Sequence, residues 1–358
     1  MKKTERILSF FEVFRVMAAV LLAYLISLVI ISLISTEPLA AIRHFIVGPF
    51  ERLSRIGDMV ALAIPLVFTG LCMCFMHAVN KFNLSGEGIF IFSGCIITWV
   101  SLMLGDNVPQ FIMIPLLLLI GAAAGACISA FPAFLNIKFN ANVVVVSLML
   151  NTILMYFTQY VMKFVIKDTS LAITATLPLP KAALLSRIIP GTTIHQGIFI
   201  ALACVLIVMM IFYKTPFGYS MRTVGFNPNF AFYAGMGVNG VVLMSQVIGG
   251  IFAGLGGAVE IMGRYTRFQW TSLTNHGFDG LMVAVLAYKN PALVPVGALL
   301  LAYIRIGADI VNRSTDISPE FVSIIQGIII LLIAAEMFLS GLKRRLIFKA
   351  AKEELKNK

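Results

Sequence analysis

Apolar runs close to the ~20 residues that a helix needs to cross a bilayer recur from one end of this sequence to the other. They fall at about 14–35, 58–78, 86–104, 110–131, 141–162, 195–213, 239–262, 278–289, 292–311 and 320–340. Backbone inside hydrocarbon has no water to bond, so each run must satisfy its own N–H and C=O groups, which makes it a helix. The expectation is an all-α, polytopic integral membrane protein of about ten transmembrane helices, some of them broken. The eighth run is short for a full crossing. Composition agrees: 59% of the 358 residues are hydrophobic and 12% are charged, far from the balance of a soluble domain. The first run is too long for a signal peptide and no small-x-small cleavage site follows it, so it reads as a span.

The formal charge of +11 sits at helix ends and loops rather than on one soluble face. It therefore points to membrane lipid and away from nucleic acid. Lys2, Lys3, Arg6 and Arg15 precede or open the first run, and the tail after the last run is strongly basic. Ten crossings return the chain to its starting side, so the positive-inside rule puts both the N- and the C-terminus in the cytoplasm. Arg43, Arg52, Arg55, Lys181, Arg187, Arg264, Arg267 and Arg313 then face outward, and the bias is incomplete. On this reading residues 1–13 are a cytoplasmic N-terminal segment, 14–340 the transmembrane domain and 341–358 a basic cytoplasmic tail. The five cysteines lie within apolar spans and read as buried small hydrophobes.

Residues 214–238, KTPFGYSMRTVGFNPNFAFYAGMGV, form the one long semi-polar segment on the cytoplasmic side. Pro216, Gly218 and Pro228 break it, and Phe226, Phe230, Phe232 and Tyr233 give it an aromatic face. It reads as a structured surface offered to a cytoplasmic partner, or as an ordinary amphipathic loop helix. On the other side, the Pro-punctuated amphipathic stretch 176–191 is expected to lie on the membrane surface, as a lid or packing element or as a docking surface for an external partner. Gly121-Ala-Ala-Ala-Gly125 and Gly250-Ile-Phe-Ala-Gly254 are small-residue motifs that let helices approach closely in lipid.

Polar groups inside apolar runs are costly, so they mark a pathway or a local hydrogen-bond need. The candidates are Asn83, Glu87, Asn151, Gln159, Gln246, Glu260, Asp279, Asp309, Gln326 and Glu336. Glu87 and Asp279 each precede a glycine at the start of a run, an echo of the broken helices that transporters place at matching positions. A carboxylate there also caps free N–H groups, and the two readings are compatible. Enzyme signatures are missing. His44, His77, His195 and His276 are scattered, and no serine is framed as G-x-S-x-G. Leu84-Ser-Gly-Glu-Gly88 looks like the signature loop of ABC ATPases, but the chain has no G-x-x-x-x-G-K-[ST] phosphate loop.

Several segments together resemble the permease subunits of bacterial ABC importers of the ribose and branched-chain amino acid type, and within them the nucleoside permeases. Asn83-Leu-Ser-Gly-Glu-Gly-Ile89 resembles that family's N-[IL]-G-x-E-G-Q, with Ser85 and Ile89 departing from it. Gly218, Arg222, Gly225, Asn227, Ala231 and Gly235 fall on the positions of its cytoplasmic pattern. Residues 249–260, the Gly277-Phe-Asp-Gly280 and Asn290-Pro291 elements and residues 321–334 resemble further parts of it. The resemblance implies an importer subunit in the bacterial cytoplasmic (inner) membrane that translocates nucleosides. Among the polar candidates, Asn83, Glu87, Asn151, Glu260, Asp279 and Gln326 are then expected along the substrate pathway, since polar groups suit ribose hydroxyls and base edges. The resemblance makes the pattern at 218–236 the ATPase coupling element. It also implies an ABC ATPase with two nucleotide-binding domains, a second permease (a paralogue or a second copy) and an extracytoplasmic substrate-binding lipoprotein. ATP and magnesium would sit on the ATPase, leaving this chain without cofactor, metal site or catalysis. A simple-sugar permease of the same family is the alternative, and an ion-coupled secondary transporter a more distant one.

Overall fold

The computed structural model describes residues 37–315 continuously, together with a few positions on either side. The expected first span (14–35), last span (320–340) and flanking segments, and with them Gln326 and Glu336, fall outside that continuous stretch. Helices account for nearly all the regular structure, and no strand forms among the described residues. Two compact units can be distinguished. In the first, α1 (Pro38–Ile46) and a 3-10 turn (Gly48–Phe50) meet residues 303–315, where Tyr303 Oη donates to the Ile46 carbonyl at 3.0 Å and stacks on Phe50. Asp309 pairs there with Arg313 at 3.0 Å across one helical turn.

Residues 53–302 make the second unit. Its helices are α2 (Leu53–Ala78), α3 (Gly86–Leu104), α4 (Gln110–Phe139), α5 (Val143–Phe164), α6 (Gly197–Lys214), α7 (Pro216–Phe226), α8 (Pro228–Tyr233), α9 (Val238–Arg264) and α10 (His276–Leu286). The last helix, α11 (Val294–Ser314), begins in this unit and ends in the other. Seven helices among the described residues are long and apolar enough to cross a membrane: α2 to α6, α9 and α11. Every expected run between 58 and 311 is thus helical. The eighth, however, holds only the 11-residue α10. At 1.5 Å per residue it is about 16 Å long, half of a ~30 Å hydrocarbon core.

α2 is the central helix, with 89% of its most apolar window buried, while α4 and α5 are mostly outward-facing at 22% and 28%. α9 packs on α2, α3 and α4. Its contact with α4 is made by the two small-residue motifs, whose backbones touch. A Cβ on Gly125 would overlap the Gly250 carbonyl, and one on Gly254 the Gly121 carbonyl. With no solvent to drive helices together in lipid, such close contact supplies the dispersion energy that holds them. Four cysteines are buried as expected, but Cys127 lies on the outward face of α4.

Apart from one 3-10 turn (Lys181–Ala183), the stretch 176–191 carries no helix and runs through turns, bends and irregular backbone, because Pro178, Pro180 and Pro190 deny it helical hydrogen bonds. Its amides bond instead to the end of α9 and the segment beyond: Thr176 to the Phe268 carbonyl, Leu179 to Thr266 and Leu185 to Met262, at 3.1, 2.9 and 2.8 Å. Of the two readings open for it, packing over the bundle end is the one the geometry fits.

Candidate functional site

Between α2 and α3 the chain turns back into the bundle. Gly225 of α7 packs on the Ala78 carbonyl at the end of α2, yet a few residues later the chain is deep among the helices. The Leu84 amide bonds to Ser147 Oγ at 3.0 Å, and its carbonyl accepts from Asn151 Nδ2 at 2.8 Å, one and two turns into α5. Asn151 Oδ1 also accepts from the Gly88 amide at 2.9 Å. Asn83 caps the turn by accepting from the Ser85 amide at 3.0 Å, while its Nδ2 reaches the Ser129 carbonyl. Gln246 Nε2 donates to the Lys81 carbonyl at 3.2 Å, and Ser129 Oγ donates to the Gln246 carbonyl at 2.5 Å. Irregular backbone at membrane depth survives only when protein groups bond it. The side chains of Asn83, Ser147, Asn151 and Gln246 do that here.

The loop delivers Glu87 to the first turn of α3, and its carboxylate caps a second helix. Oε1 accepts from Thr274 Oγ1 at 3.0 Å and from the Asn275 amide at 2.7 Å, and Oε2 accepts from the Gly277 amide at 2.6 Å. The N-termini of α3 and α10 therefore converge on one buried carboxylate, an arrangement that both helix dipoles favour. Gly277 is required: its Cβ position is occupied by the Glu87 backbone. Asp279 is buried two residues further along α10. Glu260 is also buried; it lies on α9 one turn beyond Gly256 and Gly257, which pack on Phe90, and Arg264 reaches its Oε1 at 3.4 Å. Asn83, Glu87 and Asn151 thus form one polar seam with the α10 start, and Glu260 stands apart from it.

Sequence reasoning overlooked the aromatic row beside this seam. Trp270 stacks on Phe90 at 5.4 Å, and Phe90 stacks on His276 at 5.0 Å. The signal was there: Trp270 and Tyr265 lie in a segment rich in hydroxyl residues between two apolar runs.

At the opposite end of α9, α7 and α8 form a projecting foot. Thr215 caps α7 by accepting from the Gly218 amide at 3.1 Å, and Asn227 caps α8 by accepting from Phe230 at 3.0 Å. Gly218 lies against the Ile211 and Phe212 carbonyls, so α7 folds tightly back on the end of α6. Arg222 does not project outward: it donates to the Phe212 carbonyl and lies 5.5 Å over the Tyr213 ring. Ala231 is buried, and Gly235 turns the chain with φ of +81°. All six residues of the pattern therefore build the foot. Its outer surface is aromatic, with Phe226 94% and Tyr233 87% exposed, beside Tyr219, Phe230 and Phe232. Tyr219, Arg222, Thr223, Phe226, Asn227 and Phe230 line an open hollow of about 540 Å³.

A helical bundle with seven membrane-length apolar helices among its described residues is that of an all-α, multi-pass membrane protein. The chain belongs to the family described as the branched-chain amino acid transport system permease component, which matches residues 55–334. Subunits of this family work in ABC transporters with an ATPase and further components. The guanosine ABC transporter permease protein NupP of Bacillus subtilis is 31% identical over 297 residues, covering 80% of this chain and 83% of that one. The nucleoside ABC transporter permease protein NupB of Lactococcus lactis is 26% identical over 330 residues, 90% of each chain. The glucose ABC transporter permease protein TsgB13 of Haloferax volcanii is 28% identical over 321 residues, covering 85% of this chain and 83% of that one. No solved structure matches the chain significantly.

Proposed function

We propose that this chain is the membrane-spanning subunit of an ABC importer that carries nucleosides across a bacterial cytoplasmic membrane. Both termini and the α7–α8 foot face the cytoplasm, where the foot seats in an ATPase with two nucleotide-binding domains. A second permease completes the channel, and an extracytoplasmic lipoprotein delivers the solute. ATP and magnesium are held by the ATPase, and this chain contributes no catalytic group. The observation that carries the coupling role is the foot itself, an aromatic surface exposed on helices locked by Gly218, Arg222 and Gly225 to the ends of α6 and α2. A surface so fixed moves with the bundle as a lever. The nucleoside assignment is supported by the names of the guanosine and nucleoside relatives, while the glucose relative keeps a sugar as the alternative. Asn83, Glu87, Asn151, Asp279 and Glu260 would flank the route, the first three by shaping its backbone; Gln326, outside the described residues, remains part of the proposed pathway.

Two measurements test this reading. Phe226→Ala, at the most exposed aromatic of the foot, should leave the permease folded and reduce its co-purification with the ATPase several-fold. Proteoliposomes holding the whole complex should take up labelled guanosine only with ATP inside, and glucose or ribose should compete poorly. Uptake without any ATPase, driven by an ion gradient, would sink the ABC assignment.

A further inference from the structure

The end of the bundle away from the foot carries an open basin of about 630 Å³. Residues 172–174 of the irregular stretch before α6 and 265–274 of the link from α9 to α10 form it. Thr174, Gln269, Ser272 and Thr274 bring hydroxyl and amide groups to its wall, and Tyr265 and Trp270 bring rings. We propose that this basin is a binding subsite for an uncharged solute with a flat ring and several hydroxyls, a nucleoside, held on its way into the molecule. The proposal rests on the nucleoside reading above and adds the place and chemistry of recognition.

Three observations carry it. The first is neutrality. No described residue lining the basin is charged, and the nearby ions are already paired: Arg267 with Asp168 at 2.7 Å and Arg264 with Glu260 at 3.4 Å. A zwitterionic amino acid or a nucleotide phosphate would lose its hydration here without a counter-charge, which is costly. Hydroxyls and base edges, by contrast, find neutral partners, and a base finds the half-buried ring of Tyr265, backed by the buried Trp270. The second is rigidity. Gln159 Nε2 donates to the Thr271 carbonyl at 2.6 Å, Thr176 Oγ1 accepts from the Phe268 amide at 3.1 Å, and Trp270 is wedged by Phe90, Phe268 and Tyr265. A platform fixed before binding loses less entropy when the ligand arrives. The third is continuity. Thr274, in the basin wall, bonds Glu87, and the row Tyr265–Trp270–Phe90–His276 leads from the basin to the start of α10.

The test uses the purified permease–ATPase complex without its lipoprotein and labelled inosine as probe. Gln269→Ala and Ser272→Ala alter exposed side chains and should assemble normally, judged by size-exclusion profile. Each removes one hydrogen-bonding group, so inosine binding should weaken about 3–10-fold. Inosine monophosphate and leucine should compete at least tenfold less well than inosine. Unchanged inosine affinity in both variants, with wild-type uptake of nucleosides intact, would overturn the subsite and leave the nucleoside reading standing. So would variants that lose capture of the liganded lipoprotein while binding inosine normally, since the basin would then be a protein contact. A wild-type complex that neither binds nor imports any nucleoside would remove the nucleoside reading and the subsite with it.

Discussion

Asn151 illustrates how a single polar side chain can serve the backbone in a membrane. Its amide bonds the Leu84 carbonyl and the Gly88 amide together, at 2.8 and 2.9 Å. Asn151→Leu keeps the volume and removes both partners, leaving a buried donor and a buried acceptor with no water to turn to. The expected cost is about 2–5 kcal/mol, from two unsatisfied backbone groups. Thermal unfolding in detergent should fall by several degrees, while Thr152→Ala next to it, on an exposed hydroxyl, should leave the transition within a degree or two. An Asn151→Leu protein as stable as the parent would mean that the re-entrant loop is held by something else. The chain alone marked Asn83, Glu87 and Asn151, because polar groups in apolar runs are expensive wherever they occur. It could not tell a route from a backbone bond, since the partners are distant in sequence. Asn83 meets Ser129, 46 positions on, and Glu87 meets Gly277, 190 positions on.

The elements differ in how far their form could be read beforehand. Length and apolarity were enough for α2 to α6, α9 and α11, and spacing marked the glycine motifs of α4 and α9 as packing faces, though not that they meet each other. The half-length α10 was visible only as a short run, because its N-terminal partner lies on α3. The cap at 165–196 was legible as a long external loop but not in its bonding, because several of its amides are satisfied by α9 and the segment after it. That cap also carries acid-sensitive groups. His195 is fully buried beside Gly263, and burial together with the nearby Arg264 lowers its pKa to about 4. The folded form then binds fewer protons than the unfolded one between pH ~6.5 and 4, so stability is complete above that window and is lost as pH falls through it. A shift of this size is worth about 3 kcal/mol at most. Asp168 is held below the usual carboxylate range by hydrogen bonds from Ser170 and by Arg267, and its contribution is lost at still lower pH. Hydrogen-exchange protection of residues 165–196, corrected for intrinsic rates, should drop between pH 7 and 4.5, while α4 stays unchanged. His195→Gln should flatten the upper part of that profile, and a profile identical to the parent's would refute the assignment.

Across the whole 53–302 unit, the two ends are joined by more than helix packing. α10 starts on Glu87, beneath the basin, and the chain after it reaches Asn290, whose Oδ1 accepts from Tyr213 Oη at 3.0 Å. Tyr213 closes α6 and carries Arg222 of the foot on its ring, while Gly225 seats the foot on the end of α2. Beyond its seat on the end of α6, the foot thus has a packed contact at Gly225 and a link through the Tyr213 ring to Asn290, and these two should fail differently. Gly225→Val forces α7 away from the Ala78 carbonyl, so the aromatic surface is displaced and ATPase co-purification should be lost while membrane insertion persists. Tyr213→Phe removes only the hydroxyl. The complex should still assemble, but stimulation of ATP hydrolysis by liganded lipoprotein should drop about 3–10-fold, the range expected for one hydrogen bond. Equal loss of assembly in both variants would mean that Tyr213 is part of the seat rather than a link to α10. Full stimulation in Tyr213→Phe would mean that the Tyr213–Asn290 bond plays no part in coupling.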